Sequence, residues 1–459
     1  MKSRMKIPLT AYWVVVLMGL GCTRSQFLNA RPSSTLVIPK TIPELQALID
    51  SYYMNETPAL SETSTDDYII TDANVFKSLS IKDQNTYIWA KDIFNGQGND
   101  PDWNEMYQNV LASNVILDQL GVVERNTSNA SDWDNIKGAA LFVRAYQFWN
   151  LAQVFAPPYD SSTAAGDLGI SVRLTSDINA PITRASVKDT YSQIIDDLEV
   201  STSLLPSNFS STFRNRPSKP AAFALLARVF LSMRAYAQAY LYADSALQLY
   251  STLMNFNSNT TTTSIPFSNT NPEVLYQSNI IQTEQVLYHL RFQLPGYTVD
   301  TNLYKSYSPN DLRAYFYFTP KPTNIFVKSG YSGNAYIFTG LATDEVYLMR
   351  SESAARTGNT AVAINDLNTL LATRYKTGTF TPYVGLSPTD LLAVILVERR
   401  KELYLRGMRW TDLRRFNKEG AGIVLTRSLG GSIYTLQPNS NFYMLPIPPD
   451  VIGIPQNPR

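Results

Sequence analysis

Two neighbouring segments with small side chains at helical spacing constrain the fold more than any other feature of the sequence. Residues 219–233 and 236–250 both have apolar side chains at three- and four-residue intervals, which predicts two amphipathic helices. Alanine also recurs at such intervals, at Ala224 and Ala227 in the first segment and at Ala235, directly before the second segment, and Ala239 and Ala243 within it. Because alanine lets two helix axes approach closely, we expect these helices to pack against each other as a pair.

The same arrangement recurs in residues 343–375, where Thr357-Gly358-Asn359 is a predicted turn between two helices. A Gly-Asn turn between helices with small residues at fixed offsets is typical of tetratricopeptide repeats. Apolar periodicity predicts further helices at residues 42–51, 103–120, 134–154, 187–204 and 387–419. Asp102 is a candidate N-terminal cap for the helix at 103–120. The last of these segments is either a fourth pair or one helix with a long cap. Long, unequal segments separate the pairs, so the sequence predicts a mostly α-helical fold that is not a regular solenoid.

The character of the sequence changes between residues 251 and 341. This segment has a polar run, NSNTTTTS, short β-like runs at 274–276 and 335–338, and an unusual density of tyrosine. Long loops without helical periodicity are commonly functional. We therefore predict a helical scaffold at about residues 103–250 and 342–419, with a loop-rich, partly β ligand-binding insertion at about 251–341.

The first residues have the pattern of a targeting segment. Three basic residues precede an apolar run at residues 7–21, which is typical of a secretory signal peptide and too short for a membrane span. The single cysteine of the chain, Cys22, follows directly. We predict that residues 1–21 are a signal peptide and that Cys22 is lipidated. The alternatives are an uncleaved N-terminal anchor and an incidental cysteine.

Composition excludes several classes of site. The chain has 39 Lys+Arg against 38 Asp+Glu, so it lacks the basic excess that nucleic-acid binding requires. One cysteine cannot form an internal disulfide, and one histidine, His289, cannot form a His-His metal pair. The Gly-rich pieces of the sequence have no phosphate-loop lysine. We predict no nucleic-acid partner, no metal and no cofactor.

Several blocks, in order, resemble the SusD/RagB family of outer-membrane nutrient-binding lipoproteins. They are GAALFVRAYQFWNL at 138–151, PSKPAAFALLARV at 217–229, the helix from Thr343 with NDLN at 365–368, ERRKEL at 398–403, RGMRWTDLRR at 406–415 and MLPIP at 444–448. Together with Cys22, the resemblance covers nearly all of the chain from residue 22 to 459.

The resemblance implies a SusD-like fold of four tetratricopeptide-like helix pairs, on which loops and insertions build a ligand surface. It implies one nutrient-binding domain at 22–459, anchored by lipid at Cys22 in the outer membrane and facing the cell exterior. The implied partner is a SusC-type TonB-dependent transporter. The implied cargo is an oligosaccharide, and in some members of the family a peptide.

The chemistry of individual residues suggests where a sugar binds. An aromatic face stacks on the apolar face of a sugar ring, and carboxylates accept hydrogen bonds from its hydroxyls. Trp89 precedes a Gly-rich loop, glycine neighbours let Tyr297 and Tyr331 project, and Asp66 and Asp67 lie in a polar segment. The candidate contacts are therefore Asp66, Asp67, Tyr68, Trp89, Tyr297 and Tyr331. The alternatives are a core position for Trp89 and a solvated turn for the two carboxylates.

Two other classes of function are compatible with the sequence. A helical glycoside hydrolase would need two facing carboxylates. Glu398 and Glu402 are one helical turn apart, but we predict that they pair with Arg399, Arg406 or Arg409 in a structural role. The second alternative is a scaffold that binds only protein. We predict a binding protein without catalytic activity, with Asp311-Arg313 as a structural pair and Trp103, Trp149 and Trp410 in the core.

Overall fold

The computed structural model of the chain describes residues 39–452 except 210, 211, 262 and 329. The predicted signal peptide and Cys22 lie outside these residues. The described part contains 17 helices and few strands, which confirms the mostly α-helical prediction. None of the helices described has both the length and the apolar character needed to cross a membrane.

The helices are numbered here in chain order. They are α1 Ile42–Ile49, α2 Leu60–Thr63, α3 Ala73–Ser78, α4 Ile81–Tyr87, α5 Pro101–Leu120, α6 Ala130–Phe155, α7 Val187–Leu204, α8 Lys219–Ser232, α9 Tyr236–Leu249, α10 Gln285–Arg291, α11 Thr301–Lys305, α12 Leu312–Tyr317, α13 Thr343–Arg356, α14 Thr360–Ala372, α15 Pro388–Glu402, α16 Arg409–Lys418 and α17 Pro449–Ile452.

The strands are short and pair two by two. They are β1 Glu56–Thr57, β2 Tyr68–Ile70, β3 Val274–Tyr276, β4 Asn279–Ile280, β5 Tyr297–Val299, β6 Phe318–Pro320, β7 Ile325–Val327, β8 Leu341–Ala342, β9 Leu425–Leu429 and β10 Ser432–Leu436. β1 and β4 are parallel, whereas β2–β5, β3–β8, β6–β7 and β9–β10 are antiparallel. In β2–β5, Tyr68 lies opposite Val299 and Ile70 opposite Tyr297.

The long helices pack on their neighbours in chain order, from α5 to α9. α9 also packs directly on α13, which in turn contacts α14 and α15. The segment between α9 and α13 therefore leaves the helical scaffold and returns to it, and we call this segment the insertion. It contributes side chains to the same apolar core as the helices.

Most of the small residues predicted at helix contacts and turns lie at those positions in the structure. Ala224, Ala227, Ala239 and Ala243 are fully buried between helices. Ala235 is the residue that precedes α9 and is half-buried instead. At the second turn, Gly358 has a φ of +87°, a conformation that favours glycine, and the Asn359 side chain caps α14.

Several local predictions are wrong. The cap of α5 is Asp100, because the Asp102 side chain instead accepts hydrogen bonds from the backbone of Ala59 and Leu60. Residues 335–338 form no strand, and Phe338 makes only an isolated bridge to Asn279. The insertion also contains three short helices, α10, α11 and α12, whose length is below that at which periodicity can be recognised.

Buried ion pairs join the insertion to the scaffold. Arg313 of α12 contacts Asp311, as predicted, and also Glu398 and Glu402 of α15, at 2.5–3.0 Å. The structural role of the two glutamates is confirmed, but their predicted partners are wrong. Glu398 also contacts Lys401, and Glu402 also contacts Arg374. Apart from Lys401, which lies in α15 itself, these partners come from segments that only the tertiary fold brings to α15.

The remaining predicted core positions are confirmed. Trp103, Trp149 and Trp410 are 6%, 1% and 1% exposed. Asp412, beside Trp410, contacts Arg399 and Arg415 at 2.8 Å. The pair with Arg399 joins α16 to α15, whereas the pair with Arg415 lies within α16.

Candidate functional site

The adjacent carboxylates Asp66 and Asp67 both face arginines. The guanidinium of Arg409 donates to both oxygens of Asp66, at 2.7 and 2.8 Å. Arg400 lies 3.1 Å from Asp66 and 3.5 Å from Asp67. Burial alone would raise the pKa of Asp66, but the hydrogen bonds and charge of Arg409 lower it to about 2. The oxygens of Asp66 therefore hold the loop against α15 and α16.

Tyr68 and Trp89 lie together around a third arginine. The Arg427 guanidinium lies 5.3 Å from the ring of Tyr68, 3.7 Å from that of Tyr87 and 4.5 Å from that of Trp89. The Trp89 indole N–H donates to the carbonyl of Ser64 at 2.9 Å. Tyr68 and Trp89 are 1% and 5% exposed, so they offer no ring face to solvent in this conformation.

Tyr297 and Tyr331 are also buried, and each hydroxyl has a partner. The Tyr297 hydroxyl lies 2.8 Å from Nδ1 of His289. The Tyr331 hydroxyl lies 2.5 Å from a carboxylate oxygen of Glu273 and 2.8 Å from one of Asp344, and its single O–H donates to one of the two. Tyr331 also lines a small cavity of about 50 Å³.

The pairing of β2 with β5 brings Tyr297 to the neighbourhood of Asp66, Asp67, Tyr68 and Trp89. Tyr331 lies apart from them, beneath α13. Direct contact of these six residues with a ligand stays a prediction. The rings that a ligand can reach in the present conformation belong to other residues.

Two of these accessible rings lie in the insertion, one on the solvent face of α10 and one on the residue that directly follows this helix. Val286, Leu287 and Leu290 bury the other face of this helix in the core. Tyr288 and Phe292 are 48% and 47% exposed, and their ring centroids are 4.5 Å apart. Apolar rings exposed together on a helix whose core face is already filled are typical of a binding surface.

Arg291 completes this surface, which we call the aromatic platform and define as Tyr288, Arg291 and Phe292. The Arg291 guanidinium lies 4.6 Å from the Phe292 ring and 5.8 Å from the Tyr288 ring. It also contacts the side-chain oxygen of Gln282, which is exposed beside it. The platform therefore combines flat apolar faces with hydrogen-bonding groups at its edge.

The platform is connected to the predicted residue Tyr297 through the ring of His289. The ring of His289 lies 5.9 Å from that of Tyr288 and 5.1 Å from that of Tyr297. Burial lowers the pKa of His289, so the imidazole is neutral at physiological pH. Gly296, which joins the platform to β5, has a φ of +88°, and a Cβ there would lie 2.6 Å from Val75. This turn therefore requires glycine.

Sequence reasoning identified Tyr288 only as one of many tyrosines in the insertion and missed Phe292. The available signal was the spacing of the two aromatic residues by one helical turn, beside three buried apolar positions. The spacing becomes informative only once residues 285–291 are known to be helical.

Among the described residues, no cluster of three or more His, Cys, Asp or Glu side chains could hold a metal ion. The platform contains no nucleophile paired with a base. What this arrangement can do chemically is stack on a ring and form hydrogen bonds at its edge.

Comparison with known families gives two matches. A SusD-like family model described as "Starch-binding associating with outer membrane" matches residues 26–231. The SusD family model matches residues 330–452. No match was found among curated proteins.

Solved structures share the fold over most of the chain. A SusD superfamily protein from Bacteroides thetaiotaomicron VPI-5482 is 20% identical, with a TM-score of 0.72, covering 91% of this chain and all of its own. A SusD-like carbohydrate binding protein from Bacteroides vulgatus ATCC 8482 is 19% identical, with a TM-score of 0.66 over 90% of this chain and 96% of its own. A SusD superfamily protein from Bacteroides fragilis is 19% identical, with a TM-score of 0.71 over 90% of this chain and 98% of its own. Since the two family models together match well over half of the sequence, and the fold agrees over nine-tenths of it, the chain belongs to the SusD/RagB family.

Proposed function

We propose that this protein is a non-catalytic glycan-binding lipoprotein of the outer membrane. It captures an oligosaccharide and delivers it to a SusC-type TonB-dependent transporter. Membership in a family described as starch-binding and associated with the outer membrane supports this proposal. A solved relative with the same fold is described as carbohydrate binding, which supports it further.

The aromatic platform is the observation that carries the proposal. A sugar ring has apolar C–H faces and a rim of hydroxyls, so it binds a flat ring with polar groups beside it. Tyr288 and Phe292 supply two accessible rings, and Arg291 and Gln282 supply the polar edge. Such a surface gives dissociation constants of about 1 µM to 1 mM, which allow cargo to leave again.

The carboxylates argue for binding rather than hydrolysis. A glycosidase needs two free carboxyl groups facing each other across about 5–10 Å. Asp66 is held by two arginines, and Glu398 and Glu402 are buried in ion pairs with Arg313. These carboxylates are therefore occupied in ion pairs that stabilise the fold.

Anchoring and delivery complete the proposed function. Lipid attached to Cys22 holds the protein on the exterior face of the outer membrane, since each buried CH₂ of an acyl chain contributes about 0.8 kcal/mol. In this position the protein faces the entrance of its transporter.

Calorimetry of the chain from residue 23 onward against neutral oligosaccharides and short peptides tests this proposal. We expect binding of at least one oligosaccharide, without release of cleavage products during prolonged incubation. Binding of peptides alone, or cleavage that a single Asp or Glu substitution abolishes, would overturn it.

A further inference from the structure

A concave surface formed mainly by the insertion differs in charge from the platform. It is a cleft of about 800 Å³ between α11, α12 and the β6–β7 hairpin. Three lysines line it, with tyrosines between them. We call it the lysine cleft and define it by Tyr304, Lys305, Tyr315, Lys328 and Lys376.

The lysines of the cleft are not neutralised by acidic side chains. Within the part of the chain that the structure describes, none of their ammonium groups lies within 4 Å of a carboxylate. The one acidic residue that lines the cleft, Asp311, is 3% exposed. Its carboxylate is bound by Arg313 at 2.7 Å and by Lys401 at 3.2 Å. The cleft is therefore positive, although the chain as a whole has a formal charge of only +1.

Two of the lysines are positioned by neutral groups. The ammonium of Lys328 donates to the carbonyl of Tyr315 at 2.8 Å and lies 4.4 Å from the centroid of its ring. Lys376 donates to the carbonyl of Pro309 at 3.2 Å. Because an ammonium group has three N–H donors, each lysine keeps donors for a ligand. Burial lowers the pKa of Lys328, and a bound anion would offset this effect.

The floor of the cleft is aromatic. Phe318 meets the rings of Tyr304 and Tyr307 edge-on, at 5.5 and 5.4 Å. Tyr315 is 49% exposed at the rim. A ligand that fills this space needs an apolar ring face for the floor and negative charge for the rim.

We propose that the lysine cleft binds an acidic sugar, a uronate or sulfated unit, of the captured glycan. This inference rests on the proposed function, since it assumes that the cargo is a glycan. The cleft is a site distinct from the aromatic platform. A neutral sugar would leave the three ammonium groups without partners, whereas a carboxylate or sulfate provides them with charged acceptors.

Calorimetry with a trigalacturonate and with its neutral galactose trisaccharide tests the cleft. We expect the acidic trisaccharide to bind at least about tenfold more tightly, and added salt to weaken its binding selectively. In the variant Lys305→Gln/Lys328→Gln/Lys376→Gln this preference is lost, while the affinity for the neutral trisaccharide is unchanged. Lys321→Gln is the matched control, because Lys321 is exposed on the same hairpin but does not line the cleft.

The outcomes separate the two proposals. Equal affinity for the two trisaccharides, or a triple variant that keeps the preference, would overturn the lysine cleft alone. Inorganic phosphate that displaces the acidic trisaccharide at equal concentration would also overturn it, since the cleft would then be a general anion site. Failure of every acidic and neutral oligosaccharide to bind would overturn the proposed function itself.

Discussion

Nη2 of Arg313 lies 2.5 Å from a carboxylate oxygen of Glu398, and the arginine side chain is fully buried. Arg313 belongs to the insertion and Glu398 to α15 of the scaffold. The same guanidinium also contacts Glu402 and Asp311. This cluster is a buried polar connection between the segment that carries the candidate ligand surfaces and the helices that support it.

Substitution of Arg313 therefore destabilises the protein strongly. Arg313→Gln leaves three carboxylates buried with fewer positive partners, and we expect the free energy of unfolding to fall by about 3–5 kcal/mol. Urea unfolding followed by circular dichroism measures this change. Arg125→Gln removes an exposed pair with Asp134 and serves as the control, with no expected change in the midpoint. Equal effects of the two substitutions would contradict the structural role of the cluster.

A buried carboxyl makes stability depend on pH. Burial, with the nearby charge of Asp67, raises the pKa of Glu62 from 4.5 to about 8. A carboxyl whose pKa is raised by folding contributes most below its unfolded pKa, so its contribution is lost as the pH rises from 4.5 to 8.

Glu62→Gln tests this pH dependence. Glutamine keeps an oxygen to accept the hydrogen bond from the backbone of Gly407, at 3.1 Å in the native protein, and carries no charge. We expect the variant to be more stable than the wild type above pH 8, by about 2–4 kcal/mol, and close to it at pH 4. Thermal unfolding at both pH values measures the difference. A difference that does not change with pH would show that folding does not raise the pKa of Glu62.

For Asp66 we expect the opposite pH dependence of stability. Arg409 lowers its pKa to about 2 against the opposing effect of burial, so its ion pair stabilises the fold at neutral pH and is lost as the pH falls from about 4 to 2. At pH 7, Asp66→Asn should lower the unfolding midpoint relative to the wild type. At pH 2, the midpoints of the variant and the wild type should be close to each other. The measurement is thermal unfolding across this range. Loss of sugar binding without any change in stability would instead support direct ligand contact by Asp66.

Lipidation at Cys22 predicts how the protein distributes in the cell. Replacing Cys22 by alanine removes the thiol that would carry the acyl chains, so the protein should leave the membrane fraction. Fractionation followed by mass spectrometry of the N-terminal peptide measures this. Membrane association that survives the substitution would indicate an uncleaved N-terminal anchor.

Local sequence signals predicted the helical scaffold well. Val187–Leu204 agrees with the predicted residues because Ser186 caps the helix and Pro206 follows its end. The turn at Gly358 also agrees with the prediction, because glycine adopts the positive φ of this turn without strain. These features depend on residues that are close together in the sequence.

Features that depend on distant residues could not be predicted in the same way. Glu398 and Glu402 meet Arg313 across 85 and 89 residues. Trp89 looks like an exposed stacking platform beside a Gly-rich loop, but Arg427 of β9 lies 4.5 Å from its ring. No periodicity encodes such contacts, so the sequence analysis predicted the insertion as the ligand-binding segment, which stays a prediction, and did not identify its accessible rings.

The central claim is that the aromatic platform binds the glycan. Binding of a neutral oligosaccharide by the double variant Tyr288→Ala/Phe292→Ala tests this claim most directly. Each ring contributes about 1–2 kcal/mol of stacking and burial, so calorimetry should show affinity reduced by at least about 30-fold. Phe442→Ala is the control, because this ring is 42% exposed outside the insertion, and it should leave affinity unchanged. Wild-type affinity in the double variant, with an unchanged unfolding midpoint, would contradict the account.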